Sequence, residues 1–369
     1  MIDTIVLILK NNEFEITAPE LFNPNALLIF NKKYKGLISK QNPTTKELKH
    51  KIYKPHLTLR QSYEIALNEP TLKIELSLPK LLFGNNFQEL RYKDFKSIAT
   101  KLISTLEDMG VKTSIYAIEN AHVSSIHYSK NILFTDGTIP YHYINKIRQA
   151  NTKLSLDVNQ TDYRNEGHSF KWHCNSYEVI FYDKLKDLEK AKRSDKRAIE
   201  KDNGIQLNIF KKHKSGKLSK LEVLRMEVRL NKREKIKQLF RKLNIELDLT
   251  FKKLFKPAIS KKVLLHYLDE IENKRPTLLD YKSSNDKDFL SALIAYNPLM
   301  SSKHIIQIFG LKKALEHVTQ RELQGMLAEH GMRSWQRLIK EANLVRLPRL
   351  LTTFSVIREN IKEYKPTKI

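Results

Sequence analysis

Several features that point to common protein classes are scarce or missing in this sequence. Its single cysteine, Cys174, excludes an intramolecular disulfide and a cysteine-rich zinc site. The apolar run near the N-terminus, Ile5–Leu9, is too short for a signal-peptide core, and no segment has the roughly 20 apolar residues of a membrane span. We therefore expect a cytoplasmic protein without a membrane partner.

Glycine-rich nucleotide-binding loops are also missing. The chain has only ten glycines, and they form no dinucleotide-binding fingerprint. The pair Gly216-Lys217 lacks the upstream glycine of a P-loop and is followed by Leu218. There is no G-x-S-x-G or H-E-x-x-H motif either, which argues against a serine hydrolase of that type and a zinc peptidase. We expect neither a nucleotide cofactor nor a helicase motor.

Positive charge, in contrast, is in excess. The 66 Lys and Arg residues outnumber the 41 Asp and Glu residues and give a net charge of +25. Residues 184–242 alone carry 21 basic and 8 acidic residues. Nucleic acid is the partner that this excess favours, because Lys and Arg displace counterions from phosphates. An anionic membrane surface and a merely solvated charged surface are the alternatives.

Hydrophobic periodicity predicts an α+β fold: an open, largely antiparallel sheet with helices on one face, followed by a small all-helical domain. Strands are predicted at residues 2–10, 71–78, 123–130, 177–183 and 221–231. Helices are predicted at residues 92–109, 141–150 and 184–201, with an irregular region containing short strands at 19–70. The predicted organisation is a sheet domain at 1–273, a polar linker at 274–288 and the helical domain at 289–369.

Three polar residues lie in the middle of predicted strands and point away from their apolar faces. These residues, Glu75, His127 and Glu227, could converge on one patch, because neighbouring strands lie only about 4.8 Å apart. Two carboxylates and an imidazole would suit Mg²⁺ or Mn²⁺. The alternative is that the two glutamates form exposed ion pairs, Glu75 with Lys73 and Glu227 with Arg225 or Arg229.

Tyr182 is the candidate nucleophile. It ends a predicted strand, and alternation places Lys184 on the same face. A phenol with an ordinary pKa of about 10 needs a nearby cation or metal before it attacks, and Lys184 could serve. The alternative is an ordinary strand tyrosine, in which case Tyr177 or Tyr163 would be the next candidates.

Basic side chains on two elements are candidates for contact with DNA. The strand face at 221–231 and the basic helix after Tyr182 supply Lys186, Lys190, Lys192, Arg193, Arg225 and Arg229. A second element is a helix pair broken by Gly331, with a capping-box pattern at Thr319 and Glu322. Its second helix carries Arg333 and Arg337, which could dock on a duplex as a helix-turn-helix does.

Several ordered stretches resemble the filamentous-phage gene II/X family of phage and plasmid replication initiators. They span roughly residues 1–270 and read MIDTIVL, LKIELSLPKLLFGNNF, VSSIHYSKN, NQTDYRNEGHSFKWHCNSYEVIFYDKLKDLE and VLRMEVRLNKREKIK. The resemblance implies a rolling-circle initiator that nicks one strand of a supercoiled origin by metal-dependent transesterification and later rejoins the displaced single strand.

The resemblance also implies residue roles. Tyr182 would be the attacking residue, and Glu75 and Glu227 would be metal ligands in the nicking domain at 1–273. Where relatives carry an aspartate in the middle strand this chain has His127, so either His127 or Asp3 would complete the site. The resemblance further implies the cytoplasm of a bacterial host and a host polymerase as a partner. Since the sequence has no ATPase motif, a host helicase is expected to assist unwinding.

A function of a different class stays open on the sequence alone. The helix pair near the C-terminus would also suit a sequence-specific DNA-binding regulator without catalysis. A nicking assay on supercoiled DNA separates the two, because a regulator leaves the plasmid closed.

Overall fold

The dominant element is a nine-stranded sheet in which every pair of neighbouring strands is antiparallel. The computed structural model describes residues 1–22, 36–44, 46–47, 50, 52–62, 69–148, 150, 160–164, 166–187, 221–273, 278, 281, 283, 285–348 and 353–367. The strands of the large sheet are β1 (Ile2–Lys10), β3 (Gly36–Gln41), β4 (His56–Ser62), β5 (Thr71–Ser77), β7 (His122–Phe134), β8 (Gln160–Arg164), β9 (Ser169–His173), β10 (Tyr177–Asp183) and β11 (Glu222–Leu230). They are arranged in the order β3-β4-β5-β1-β7-β11-β10-β9-β8, and β2 (Phe14–Ile16) pairs separately with β6 (Val111–Thr113).

Helices cover one face of this sheet. Those of the first part of the chain are α1 (Leu78–Phe83), α2 (Phe95–Glu107), α3 (Ile115–Asn120), α4 (Pro140–Ile147), α5 (Arg233–Lys242), α6 (Phe251–Leu254) and α7 (Pro257–Glu272). Toward the C-terminus follow α8 (Asp286–Tyr296), α9 (Ser302–His317), α10 (Gln320–Met326), α11 (Met332–Leu344) and α12 (Thr353–Glu363). The predicted α+β fold with an antiparallel sheet and a helical C-terminal region is confirmed.

Strict alternation in β11 explains why the sheet has one apolar and one polar face. Leu224, Met226 and Val228 are fully buried against the helices, and α5 and α7 both pack on β7 and β11. The intervening residues of β11 point to the opposite face, which we call the front face. Through the strand register the front face also carries Tyr182, His127 and Glu75.

The strand and helix limits differ from the predictions at a few places. Strand β7 extends to Phe134, beyond the predicted end at residue 130, and β8 and β9 form a hairpin that the periodicity did not indicate. Pro79, predicted to end a strand, lies in the first turn of α1, where its missing N–H costs nothing. The predicted helix at 184–201 begins as expected at residues 184–187, and the rest of it lies outside the described residues.

The helical region has a hydrophobic core of its own. It is formed by Leu278, Phe289, Leu293, Ile305, Ile308, Leu311, Leu315, Trp335, Ala342 and Val345. The last helix, α12, returns instead to the sheet and places Phe354, Ile357 and Ile361 in the main core, against α7 and β7. None of the helices among the described residues has both the length and the apolar character needed to cross a bilayer.

Candidate active site

The phenol of Tyr182 is oriented by a buried carboxylate. Tyr182 lies on β10 directly opposite Arg225 of β11, and Glu227 is the next front-face residue along β11. The Tyr182 hydroxyl donates a hydrogen bond to Glu227 Oε2 at 3.3 Å. Burial raises the pKa of Tyr182 well above its ordinary value, and the Glu227 charge adds to this, while Arg225 opposes it. The phenol is therefore protonated at neutral pH and needs help to lose its proton.

Lys184 covers the ring of this tyrosine. Its Nζ lies 5.7 Å from the centroid of the Tyr182 ring, and the residue is only 1% exposed. Burial lowers the pKa of Lys184 to about 7, with the positive charge of Arg225 as the second cause. The lysine predicted to accompany Tyr182 is thus placed beside it and changes its charge near neutral pH.

Arg225 provides a second, permanent positive charge that acts on Tyr182. Its guanidinium is buried and donates hydrogen bonds to Asp3 Oδ1 at 3.0 Å, Ser129 Oγ at 2.8 Å and the Asn86 carbonyl oxygen at 2.6 Å. Its Nε has no hydrogen-bond partner among the described residues. Predicted to contact DNA, Arg225 instead lies inside the site, where its charge is directed at Tyr182.

Glu227 is the most heavily contacted acid of the front face. Arg229 Nε donates to its Oε1 at 2.9 Å, and His127 Nδ1 lies 3.6 Å from the same oxygen. Burial would raise the pKa of Glu227, but Arg229, Arg225 and His127 outweigh it and hold the pKa at about 2. Glu227 is therefore an ionised hydrogen-bond acceptor. Its ion pair with Arg229 is one of those named in the sequence analysis as the alternative to a metal site.

His127 lies beside that carboxylate as a neutral ring. Burial lowers the pKa of His127, and the Glu227 charge opposes this only in part. His127 stands opposite Arg229 in the register of β7 and β11. The structure therefore brings together two of the three residues that were predicted to bind a metal.

Glu75, the third predicted ligand, lies apart from this pair. Strands β1 and β7 separate β5 from β11, and Glu75 is opposite Val6 of β1. Its side chain is 47% exposed and forms an ion pair with Lys73 at 3.0 Å, as the alternative interpretation expected. Asp3, the other candidate ligand, is held by Arg225.

The donor set does not fit the predicted three-ligand metal site. No group of three His, Cys, Asp or Glu side chains capable of holding a metal ion occurs among the described residues. Both oxygens of Glu227 already accept hydrogen bonds from the protein, and a guanidinium occupies one of them.

The remaining predicted DNA contacts are scattered. Lys186 is exposed just after the site, while Arg229 is half-buried between Glu178, at 3.2 Å, and Glu227. Arg333 and Arg337 are exposed on α11. The predictions for Lys190, Lys192 and Arg193 fall outside the described residues.

The alternative nucleophiles are less well placed than Tyr182. Tyr177 is on the helix-covered face of β10, where its ring stacks on Tyr267 at 5.5 Å. Tyr163 is on β8, separated from β10 by β9. Of the tyrosines considered, only Tyr182 is shown to share a surface with Glu227, Lys184 and Arg225.

Ser129 and Glu178 belong to the site but were not predicted. Alternation from His127 along β7 leads to Ser129, which binds Arg225, and alternation from Tyr182 along β10 leads to Glu178, which binds Arg229. The alternation could have indicated both residues, yet their partners depend on which strands are neighbours.

The chain matches no family model, no curated protein and no solved structure with which it was compared.

Proposed function

We propose that this protein cuts and rejoins a DNA strand through Tyr182. The phenolate oxygen attacks the scissile phosphorus, a P–O bond to Tyr182 forms, the P–O3′ bond breaks, and the 3′ oxygen takes up a proton. Rejoining is the reverse: a 3′-hydroxyl attacks the phosphotyrosine and releases Tyr182. The observation that carries the proposal is that the Tyr182 hydroxyl binds Glu227, that Lys184 lies over the Tyr182 ring, and that Arg225 is the neighbour of Tyr182 on the adjacent strand.

Each neighbour of the phenol has a distinct part in this scheme. Glu227 orients the hydroxyl, but its pKa of about 2 makes it a weak final acceptor for the proton. Neutral Lys184, with a pKa of about 7, is the better-matched base. Once Lys184 is protonated, it and Arg225 offset the negative charge on the phenolate and on the phosphate in a site of low dielectric.

The expected substrate is origin DNA, first as a supercoiled duplex and then as a displaced single strand. The net charge of +25 favours a polyanionic partner, and the resemblance of five ordered motifs to replication initiators supports rolling-circle replication as the process. Strand separation would come from supercoiling and from a host helicase, with a host polymerase extending the 3′ end.

Covalent trapping tests the proposal directly. The full chain is incubated with negatively supercoiled plasmid of its own replicon and with single-stranded fragments of that DNA, and peptides are examined by mass spectrometry. We expect a nucleotide adduct on Tyr182. Tyr182→Phe should lose both the adduct and several orders of magnitude in nicking rate, whereas Tyr177→Phe, on the same strand but the opposite face, should keep them. An adduct elsewhere, or cleavage by Tyr182→Phe, contradicts the proposal.

The same assay also tests the expected dependence of nicking on Mg²⁺ or Mn²⁺. The sequence predicts that EDTA abolishes nicking while some DNA binding remains. Cleavage that continues in EDTA would instead attribute charge neutralisation to Lys184 and Arg225 alone.

A non-catalytic DNA-binding regulator is the second candidate, favoured by the geometry of α10 and α11. Thr319 and Glu322 form the predicted capping box, with a 2.7 Å bond from Thr319 N to the Glu322 carboxylate. Gly331, at φ +108°, makes the turn that favours glycine, and Arg333 and Arg337 follow on the exposed side of α11. A footprint on the replicon without nicking or adduct would support this function.

A further inference from the structure

The residue between Tyr182 and Lys184 ends the strand in a specific way. Asp183 is the last residue of β10 and is buried. Its Oδ1 accepts hydrogen bonds from the backbone N–H groups of Leu185 and Lys186, both at 3.0 Å. These bonds turn the chain out of the strand and into the helical turn at 184–187. Lys184 would otherwise continue in the extended direction.

The side chain of His168 lies within ion-pair distance of the second oxygen of the same carboxylate. Its Nδ1 lies 3.3 Å from Asp183 Oδ2, and its backbone carbonyl accepts the N–H of Asp183 at 2.9 Å. The Tyr141 ring, from α4, packs against the imidazole at 5.5 Å. The turn before His168 contains Glu166 and Gly167, both with positive φ, and so presents the ring at the end of β10.

Resting on the tyrosine chemistry above, we propose that Asp183 and His168 are positioning residues that hold Lys184 over the Tyr182 ring. Neither side chain touches the phenol. Asp183 sets the direction of the backbone at Lys184, and His168 fixes the Asp183 carboxylate so that one oxygen stays on the two N–H groups.

The pKa of Lys184 reports whether its side chain stays buried over the Tyr182 ring. The charged groups that act on it are Arg225, Asp187, Asp3 and Glu227, but burial is the largest cause of its low pKa. If the turn opens and the ammonium reaches water, that cause disappears and the pKa rises toward its ordinary value of 10.5.

Lysine labelling measures this property without requiring DNA cleavage. The full chain is treated with acetic anhydride over a range of pH, and acetylation of Lys184 is quantified by mass spectrometry. We expect a midpoint near 7 in the wild type. Asp183→Ala and His168→Ala should raise it by about one pH unit or more. Asp183→Asn should stay near the wild-type value, because an amide oxygen still accepts both N–H groups.

The matched control is Asn285→Ala. Asn285 caps α8 in a comparable way, because its side-chain oxygen accepts a hydrogen bond of 2.9 Å from Asp288 N, and it lies far from Lys184 in the sequence. The control substitution should leave the Lys184 midpoint unchanged. Circular dichroism monitors the folding of each variant. If Asp183→Ala does not fold, the test uses His168→Ala, in which Asp183 still caps the turn.

Nicking rates measured on the same variants separate this proposal from the proposed function. We expect the pH at half-maximal nicking to move upward with the labelling midpoint and the rate at pH 7 to fall about fivefold or more, as the neutral fraction of Lys184 decreases. An unchanged midpoint in both alanine variants overturns the positioning role even if Tyr182 cuts DNA. A shifted midpoint in a protein that never cuts DNA supports the positioning of Lys184 and contradicts the nicking function.

Discussion

At the scale of single residues, the environment of Glu227 links the candidate site to the stability of the fold. It is a buried acid surrounded by two guanidinium groups, an imidazole and a phenol. Removing one partner of such a buried group leaves the others without compensation and is more costly than breaking an exposed pair. The titration of Glu227 should therefore be visible in the stability of the whole fold.

We predict that stability falls in acid as Glu227 takes up a proton. Its pKa is about 2 in the folded protein against 4.5 for the free side chain, so the folded state binds this proton less readily. The contribution is complete above pH 4.5 and is lost as the pH falls toward 2, on the order of 3 kcal/mol in total. Urea denaturation of the wild type and of Glu227→Gln at several pH values measures it.

Glu227→Gln should be less stable at pH 7 and should show a flatter pH dependence than the wild type. The control is Glu75→Gln, because Glu75 forms an exposed pair with Lys73 that contributes only about 0–1 kcal/mol. Equal behaviour of the two variants would mean that the charges around Glu227 do not stabilise the fold.

At the scale of elements, α12 joins the far end of the chain to the sheet. Phe354, Ile357 and Ile361 are fully buried in the core that also contains Trp172 of β9. The other tryptophan, Trp335, is in the core of the helical region. Each hydrophobic core therefore has its own fluorescent reporter.

We predict that Phe354→Ala destabilises the sheet rather than the helical region, by about 3–5 kcal/mol, since it removes a buried aromatic ring. In a Trp335→Phe background, the Trp172 transition should move to lower denaturant concentration. Leu344→Ala, at a side chain that is 71% exposed, is the control and should leave it nearly unchanged. An unaffected Trp172 transition would show that α12 adds nothing to the sheet.

At the scale of the whole molecule, the excess of positive charge is the property most directly tied to DNA. Part of it lies on α11, where Arg333 and Arg337 are one helical turn apart and exposed. Many other surface lysines are already neutralised. Lys313, for example, pairs with both Asp286, at 2.5 Å, and Glu316, at 2.9 Å.

We predict that Arg333→Ala and Arg337→Ala weaken duplex binding and reduce its dependence on salt. Each lost phosphate contact should flatten the plot of log affinity against log salt by about 0.9. Fluorescence anisotropy with replicon duplex over a salt series measures this slope. Lys313→Ala should keep the wild-type slope, because its ammonium is already paired. A slope that both arginine variants retain would mean that α11 does not face DNA.

Local patterns in the sequence predicted much of the secondary structure and the side of the sheet on which the candidate site residues lie. Period-two alternation predicted β10 at its observed limits and the buried face of β11, and the Thr319–Glu322 pattern predicted the cap of α10. Alternation and caps depend on residues a few positions apart, so they can be read from the chain. Lys184 lies beside Tyr182, as predicted, but it does so from the helical turn that follows β10 and not from an extended strand.

Which of these residues are in contact depends on the fold of the whole chain. Alternation placed Glu75 and Glu227 on the same face, but β1 and β7 lie between their strands. The side chain of Glu227 therefore contacts Tyr182 and Arg229 and not Glu75. The contacts of Asp3 with Arg225 and of His168 with Asp183 likewise join distant parts of the chain. Such partners follow from strand pairing and packing of the whole chain, which no local pattern specifies.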